Sequence, residues 1–364
     1  MDPAPLRILE VISPSHFSGA ERVVAYLSAE LTRLGHEVLV VTKPLPPLEE
    51  ELARTGVPCR VEPISGKFNF WVGTNLREII REFQPDLVHT HLTTATRWGT
   101  WAAHREGLPC VAHVHAMTQP LWYRPADLLL ATSQGVEEYL HSMRFPPERV
   151  QMIYNGLDPA WFEHLPAPEG LRAELGLPPG APVLGMVAHF APKKGHHVLL
   201  EAMAQLTETY PNLQCLMLGT GGLPGRRARL ERMISRLGLS GRVHLLGYRA
   251  DALALTQLFD VAVLPSTRKE GLGLVLLEAA FLGVPAAGSD ARGIREAVEN
   301  GVTGLLAPPG DAAGLAGVLD RLLRDPALRH SMGEAARARV RERFTLRAQA
   351  EATLAAFRRV CHKD

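Results

Sequence analysis

The sequence has few cysteines, almost no net charge and no long apolar run. Its 364 residues include four cysteines, which lie far apart and form no Cys-x-x-Cys pair. This spacing predicts reduced thiols in a cytoplasmic protein. No stretch reaches the ~20 apolar residues of a membrane-spanning helix. The N-terminus has an acidic residue and only a short apolar run, so we expect no secretory signal.

The patterns of metal-binding and nucleic-acid-binding proteins are also missing. The 15 histidines show no His-Glu-x-x-His or comparable spacing, so no metal is predicted. The net charge of +1 gives no general attraction to nucleic acid. Residues 1–165 carry 14 basic and 19 acidic side chains, and the remainder carries 25 and 19. The second half therefore favours an anionic ligand, although its arginine-rich stretch 226–236 is equally typical of a solvated helix face.

Apolar strand candidates alternate with amphipathic helical segments along most of the chain. The strand candidates are continuously apolar, which is typical of parallel strands covered by helices on both faces. The alternation predicts an α/β protein with doubly wound sheets. We interpret the proline- and glycine-rich segment YNGLDPAWFEHLPAPEG as a linker. We therefore predict domains at residues 1–165 and 166–345, with a final helix at 346–364 that packs back on the first domain.

Two glutamates flank a glycine-containing loop after the strand candidate DVAVLPS. A helix is predicted to begin near Gly273, and the free N–H groups of its first turn favour a phosphate. Glu278 lies more than one turn inside this helix, where a carboxylate can accept hydrogen bonds from a ribose diol. Glu270 would lie beyond the phosphate, beside the group attached to it. The pattern indicates that a sugar nucleotide binds here. In the alternative interpretation, Glu270 lies on the surface and Glu278 pairs with an arginine, and neither residue binds a ligand.

The segment EGLGLVLLEAAFLGVPAAGSD resembles the Glu-x7-Glu signature of the retaining glycosyltransferases of family 4. That family has the GT-B fold, in which two Rossmann-like doubly wound domains face each other across a cleft. Nearly the whole chain takes part in the resemblance. Further similar segments occur in family order: FSGAERVV, VAHVHA, MIYNGLDPAWF, HFAPKKGHHVLLEA, LGTGG, LLGYRAD and NGVTGLLAPPGD.

The resemblance implies a nucleoside-diphosphate sugar as donor, with UDP-sugar favoured, GDP-sugar next and no other cofactor. The donor would bind mainly to the C-terminal domain, and a glycan, glycolipid or small-molecule acceptor to the N-terminal domain. Lys194 would neutralise the diphosphate, and His115 and Glu270 would contact the transferred sugar. The remaining residues that the resemblance places around the donor are Gly19, His189, Tyr248, Arg249, Gly271, Leu272, Gly273, Leu274, Val275 and Glu278.

Two positions depart from the family pattern. His189 stands where the family usually has an arginine, which replaces a permanent cation with a group that is neutral or charged according to pH. Ser18 fills the first of two glycine positions before Ala20, leaving Gly19 as the second. We expect His113, two residues before His115 in the same strand, to be structural. The sequence has no Asp-x-Asp, so a metal-independent reaction is predicted.

Two other functions share these motifs. One is a GT-B-fold sugar-nucleotide 2-epimerase, which would need additional acid and base carboxylates that the sequence does not show. The other is a non-catalytic subunit that binds a sugar nucleotide. The segment GKFNFWVGTNLREIIREF carries aromatic residues that would touch a membrane or a hydrophobic acceptor. Alternatively, the segment is a plain loop between a strand and a helix. In that case we expect a cytoplasmic protein without contact to the inner membrane face.

Overall fold

The computed structural model describes residues 4–219 and 225–362, and the chain divides into two compact units. Unit 1 comprises Met1–Asp158 and Thr345–Asp364, and unit 2 comprises Pro159–Phe344. The chain thus leaves unit 1 inside the proline- and glycine-rich segment and returns to it for the last helix. Within the described ranges, no helix is both long and apolar enough to cross a membrane.

Unit 1 is built on a seven-stranded parallel sheet with strand order β3-β2-β1-β4-β5-β6-β7. The strands are β1 Arg7–Ile12, β2 Glu37–Thr42, β3 Cys59–Val61, β4 Leu87–His91, β5 Cys110–Val114, β6 Leu128–Ala131 and β7 Val150–Met152. The helices are α1 Gly19–Arg33, α2 Pro46–Thr55, α3 Phe70–Phe83, α4 Thr93–Arg105 and α5 Gln134–Ser142, with α14 Leu346–Cys361 at the end of the chain.

The last helix completes the core of unit 1. Leu354, Phe357 and Val360 of α14 belong to the same buried cluster as Ile8 of β1 and Leu27 of α1. A parallel sheet must bury both faces, and α14 packs beside α1 over the same core cluster. The start of α14 contacts the end of the first part of unit 1, because the Leu346 N–H donates to the Leu157 carbonyl at 3.0 Å.

Unit 2 repeats the architecture with a six-stranded parallel sheet of order β10-β9-β8-β11-β12-β13. Its strands are β8 Val183–Val187, β9 Gln214–Leu218, β10 Val243–Gly247, β11 Val261–Leu264, β12 Ala286–Ser289 and β13 Gly304–Ala307. Its helices are α6 Pro168–Glu174, α7 His196–Leu206, α8 Arg226–Arg236, α9 Ala252–Thr256, α10 Leu274–Phe281, α11 Ile294–Ala297, α12 Ala312–Arg324 and α13 Pro326–Arg343.

The predicted linker contains regular structure, which the sequence interpretation missed. Residues Pro159–Phe162 form a 3₁₀ turn, and Pro168 opens α6. Proline suits the first turn of a helix, because the N–H that it lacks has no partner there. The Phe162 ring stacks on Phe281 with centroids 4.0 Å apart, so apolar contact with α10 holds this segment on unit 2.

Candidate functional site

Two loops of unit 2 meet at the carboxyl ends of adjacent strands. One follows β8 and carries Lys194, and the other follows β11 and carries Glu270. Lys194 Nζ lies 2.9 Å from Glu270 Oε2, and the Ser266 hydroxyl donates to Glu270 Oε1 at 2.7 Å. Glu270 is buried and Lys194 is only partly exposed. The structure therefore brings together the two residues that were predicted to contact the diphosphate and the sugar.

The two loops also touch through their backbones, which explains the glycine after Lys194. Gly195 has φ +77°, and a Cβ at this position would lie 1.8 Å from the Pro265 carbonyl oxygen. The Thr267 N–H donates to the Lys193 carbonyl at 2.9 Å. A side chain at position 195 would push the loops apart and separate Lys194 from Glu270.

A third loop, after β12, holds the backbone of Glu270. The Glu270 N–H donates to the Arg292 carbonyl at 3.1 Å. Gly293 has φ +85°, and a Cβ there would lie 2.5 Å from the Glu270 carbonyl oxygen. The position of Glu270 is therefore fixed by both of its carboxylate oxygens and by its main chain.

The helix α10 begins directly after the glycine loop. Gly271 and Leu272 lie in the loop, and Gly273 caps the helix in a left-handed conformation with φ 76°. Leu274 and Val275 open the first turn, whose N–H groups have no partner within the helix itself. Glu278 follows in the second turn and is 6% exposed. The predicted order of glycine loop, helix start and buried glutamate is therefore present.

His189 lies just beyond the carboxyl end of β8, in the loop that leads to Lys194. His196, the first residue of α7, is buried and packs edge-on against Phe190 at 5.3 Å. Burial lowers the pKa of His196 to about 4, so this histidine is neutral near pH 7. The predicted contact of His189 with the phosphates stays a prediction.

Tyr248 and Arg249 follow β10, two strands away from β8 in the sheet. Tyr248 is exposed, whereas Arg249 pairs with Glu174 at 3.0 Å and with Asp251 at 2.6 Å. The Arg249 guanidinium lowers the pKa of Asp251 below its ordinary value. The predicted contact of these two residues with the base stays a prediction. The LGTGG segment after β9 extends to residue 222, and its residues 220–222 lie outside the described residues.

A cavity of about 780 Å³ lies beside the β8 loop, between α7 and α8. Its lining includes Phe190, His197, Arg226, Arg229 and Arg232. Helix α8 is otherwise solvent-facing, with Ile234 as its buried residue. The arginines thus form a solvated helix face, and they also make this side of unit 2 positively charged.

In unit 1, Gly19 is the first residue of α1. The preceding Ser18 donates its N–H and its hydroxyl to the Glu21 carboxylate, at 2.9 and 2.7 Å. Burial raises the pKa of Glu21. Gly19 therefore belongs to the first helical turn rather than to the loop before it, and its N–H has no acceptor within the helix itself.

His115 lies one residue beyond β5 and is partly exposed, at the edge of a buried polar row. Its Nε2 lies 2.9 Å from His91 Nδ1, and His91 Nε2 lies 2.7 Å from Glu10 Oε2. His89 Nδ1 lies 2.9 Å from the other oxygen of Glu10. Glu10, His89 and His91 are fully buried. Sequence reasoning missed Glu10 and His91; the available signal was a glutamate in the middle of the apolar run of β1 and the polar end of β4, His89-Thr90-His91.

His113 is fully buried and stacks on His115, with ring centroids 4.5 Å apart. The ring nitrogens of His89, His91 and His113 lie within 4.8 Å of one another, a spacing that invites comparison with a metal site. The rings of His91 and His113 are stacked, however, with only 25° between their planes. Metal ligands must point their lone pairs at one centre, and both nitrogens of His91 already have hydrogen-bond partners. His91 therefore belongs to a hydrogen-bonded row with Glu10 and His115 and does not suit a metal site, whereas both nitrogens of His113 and Nε2 of His89 have no hydrogen-bond partner among the described residues.

Two family models match consecutive parts of the chain. The model described as glycosyltransferase family 4 matches residues 17–161, and the model described as glycosyl transferases group 1 matches residues 169–339. Together they cover most of unit 1 and almost all of unit 2. The chain belongs to glycosyltransferase family 4.

Relatives of this family 4 glycosyltransferase act on different molecules, as their names state. An alpha-D-kanosaminyltransferase of Streptomyces kanamyceticus is 28% identical over 80% of this chain and 81% of its own length. A D-inositol 3-phosphate glycosyltransferase of Corynebacterium efficiens is 30% identical over 73% of this chain and 64% of its own length. HepE of Anabaena, solved in complex with UDP and glucose, superposes with a TM-score of 0.88 at 25% identity, covering 97% of this chain and 99% of its own. The GT-B prediction is thereby confirmed as two Rossmann-like domains.

Proposed function

We propose that this protein is a retaining glycosyltransferase that transfers a hexosyl or N-acetylhexosaminyl group from a UDP-sugar to a glycan, glycolipid or small-molecule acceptor. The observation that carries the proposal is the Lys194–Glu270 pair, held by three glycine-bounded loops beside the first turn of α10. A cation and free helix N–H groups suit a diphosphate, and a buried carboxylate beside them suits a sugar hydroxyl.

Each site residue has one role in this proposal. Lys194 and the start of α10 stabilise the negative charge that grows on the departing diphosphate, in place of a metal ion. Glu270 contacts the transferred sugar, and Glu278 accepts hydrogen bonds from the ribose diol. His115, at the end of β5, contacts the same sugar. His189, Tyr248 and Arg249 complete the contacts with the phosphates and the base, following the family pattern.

The reaction is a displacement on one face of the sugar. The bond between the anomeric carbon and the diphosphate oxygen breaks, and a bond to the acceptor oxygen forms on the same side. The departing phosphate oxygen takes the proton of the acceptor hydroxyl. The chemistry therefore needs a site that holds the leaving group rather than a side chain that acts as a covalent nucleophile.

A UDP-sugar is the favoured donor and a GDP-sugar the next. The support comes from HepE, which was solved with UDP and with UDP-glucose. A panel of UDP- and GDP-sugars, assayed for release of free nucleotide, tests the choice. Release of UDP from a UDP-sugar is the expected result. Conversion of one sugar nucleotide into another would indicate an epimerase instead, and binding without release would indicate a non-catalytic subunit.

We further propose that unit 1 meets an amphiphilic acceptor or the inner membrane face through an exposed aromatic patch. We define the patch as Phe68, Phe70, Trp71, Leu121 and the partly buried Trp122, whose ring lies edge-on to Phe68 at 6.3 Å. Phe68 and Trp71 are 77% and 76% exposed, and Phe70 and Leu121 are 64% and 62% exposed. Exposed aromatic side chains grouped on one surface are typical of interaction sites at the edge of a membrane.

Cations border the aromatic patch. Arg97 lies 5.6 Å from the Phe68 ring and 5.0 Å from the Trp122 ring, and Lys67 lies 4.6 Å from the Trp122 ring. This combination suits an interface with anionic headgroups, even though residues 1–165 are acidic overall.

Co-sedimentation with phosphatidylglycerol vesicles and with phosphatidylcholine vesicles tests the patch. The Phe68→Ala/Trp71→Ala variant should lose binding, and Val302→Ala, which changes an exposed apolar side chain of unit 2, should retain it. Equal binding by the two variants would refute the role of the patch.

A further inference from the structure

A row of polar side chains crosses the buried face of the unit 1 sheet. It runs from Glu10 on β1 through His91 on β4 to His115 beyond β5. On this face, Phe357 of α14 packs edge-on against the neighbouring His89 at 4.9 Å. A carboxylate in such an apolar setting is strongly unfavourable unless hydrogen bonds satisfy it. Glu10 has His89 and His91 as hydrogen-bond partners, one at each oxygen.

The histidines of the row are neutral. Burial, together with the nearby His89 and His115, lowers the pKa of His91 well below its ordinary value. Burial also lowers the pKa of His115 to about 3. Each of these rings therefore has one nitrogen that donates and one that accepts.

The direction of the hydrogen bonds follows from the carboxylate. Each Glu10 oxygen faces one histidine nitrogen, and a carboxylate oxygen accepts, so this arrangement puts the proton of His91 on Nε2. The Nδ1 of His91 then accepts, and the partner at 2.9 Å, His115 Nε2, must donate. His115 is left with a lone pair on Nδ1.

We propose that Glu10 and His91 are positioning residues that hold His115 in the Nε2–H tautomer, so that its Nδ1 accepts a hydrogen bond from a hydroxyl group of the transferred sugar. The inference rests on the proposed function, in which His115 contacts that sugar. The proposed tautomer also makes the site selective among donor sugars. A neutral sugar hydroxyl can donate to Nδ1, whereas the carboxylate of a uronic acid finds a lone pair there and no proton to accept, so a uronic acid would be disfavoured.

The tautomer can be measured directly on the full chain. Nitrogen-15 correlation spectra of histidine-labelled protein distinguish an N–H nitrogen from a lone-pair nitrogen, and a His115→Gln sample assigns the signal. In the wild type we expect the proton of His115 on Nε2. A proton on Nδ1 would overturn the proposal, and this result does not depend on enzymatic activity.

Glu10→Gln tests the origin of the tautomer. Its amide can accept from His89 while donating to His91, which lets His91 carry its proton on Nδ1 and donate to His115. We expect a substantial population of His115 with its proton on Nδ1. The matched control is His89→Asn, which removes the other buried ring on Glu10 and should leave the His115 tautomer unchanged. A Glu10→Gln spectrum identical to that of the wild type would contradict the proposal.

Kinetics give a second readout. Glu10→Gln should lower kcat with a neutral UDP-sugar about ten-fold, the effect of one hydrogen bond, and leave UDP affinity unchanged because UDP lacks the sugar. The preference for UDP-glucose over UDP-glucuronate should narrow in the same variant. An unchanged kcat and preference, alongside a shifted tautomer, would overturn the sugar contact. An enzyme that turns over no donor would refute the proposed function while leaving the tautomer result intact.

Discussion

Lys194 and Glu270 form an ion pair across two loops that are separated by 76 residues in sequence, with 2.9 Å between Nζ and Oε2. The Lys194 side chain is 20% exposed and that of Glu270 is 7% exposed. A diphosphate that approaches this lysine meets a cation whose charge is already balanced by a carboxylate. Substitution of Lys194 and substitution of Glu270 should therefore have different effects on the affinity for UDP.

Lys194→Ala should weaken UDP-sugar binding and slow transfer together, because the diphosphate carries charge in both the ground state and the transition state. The loss of a charge-assisted contact should amount to about 2–4 kcal/mol in kcat/KM. Steady-state kinetics with UDP-sugar and calorimetric titration with UDP measure the two effects. The control is Lys193→Ala, which removes an exposed neighbouring cation. Equal kinetics of the two variants would remove Lys194 from the site.

Glu270→Gln should leave UDP affinity intact or raise it, because the substitution frees Lys194 from its carboxylate partner. The transfer rate should nevertheless fall, since the amide binds the sugar less well as positive charge develops at the anomeric carbon. Titration with UDP beside single-turnover transfer separates the two effects. A loss of UDP affinity in Glu270→Gln, together with a loss of rate alone in Glu278→Gln, would show that the roles of the two glutamates are reversed.

Gly195→Ala should destabilise unit 2 by about 3 kcal/mol or more, because the new methyl group collides with the Pro265 carbonyl. Gly180→Ala is the matched control. Gly180 has a similar φ of +68°, but no atom lies within 4 Å of a Cβ built there, so only the left-handed strain of about 1–2 kcal/mol remains. Urea unfolding compares the two variants. An equal decrease in the free energy of unfolding in both variants would mean that the close backbone contact between the loops around Lys194 does not contribute to stability.

His113→Leu should make unit 1 less sensitive to acid. Burial, with the neighbouring histidines, lowers the pKa of His113 well below its ordinary value. Below about pH 6.5 the unfolded chain therefore takes up a proton that the folded chain does not. The free energy of unfolding falls as the pH falls below 6.5, and His113 makes no such contribution above it.

By pH 5, one such histidine lowers the free energy of unfolding by about 2 kcal/mol. In the His113→Leu variant, the free energy of unfolding should fall less between pH 7 and pH 5 than in the wild type. In His362→Leu, which changes an exposed side chain, it should fall as much as in the wild type. Urea unfolding at pH 7 and pH 5, followed by tryptophan fluorescence, measures the difference, since four of the five tryptophans lie in unit 1. An equal fall in the free energy of unfolding in the wild type and His113→Leu would show that the pKa of His113 is not lowered in the folded protein.

The alternation of apolar strands and amphipathic helices was enough to predict two doubly wound sheets, because buried parallel strands leave a strong signal. The elements that the sequence did not indicate include the three-residue strands β3 and β7, whose few residues carry too little pattern. The proline-rich segment was misjudged because proline at the first turn of a helix resembles proline in a loop.

The glutamates of the candidate site were found because the glycine loop and the helix start lie beside them in sequence. The pairing of Glu10, His91 and His115 was not found. It depends on the registers of β1, β4 and β5, which place residues 81 and 24 positions apart in contact. Each strand alone shows polar residues beside apolar ones, and no local pattern indicates which strands are neighbours.

Glu278, inside α10, is the residue that we propose holds the ribose diol of the donor. Calorimetric titration of UDP and 2′-deoxy-UDP into the wild type and into Glu278→Gln tests it most directly. In the wild type, UDP should bind more tightly than its deoxy analogue by about 1–3 kcal/mol, the contribution of charge-assisted hydrogen bonds. In Glu278→Gln most of this difference should vanish, through weaker binding of UDP. The same difference in both proteins would contradict the account and place the ribose elsewhere.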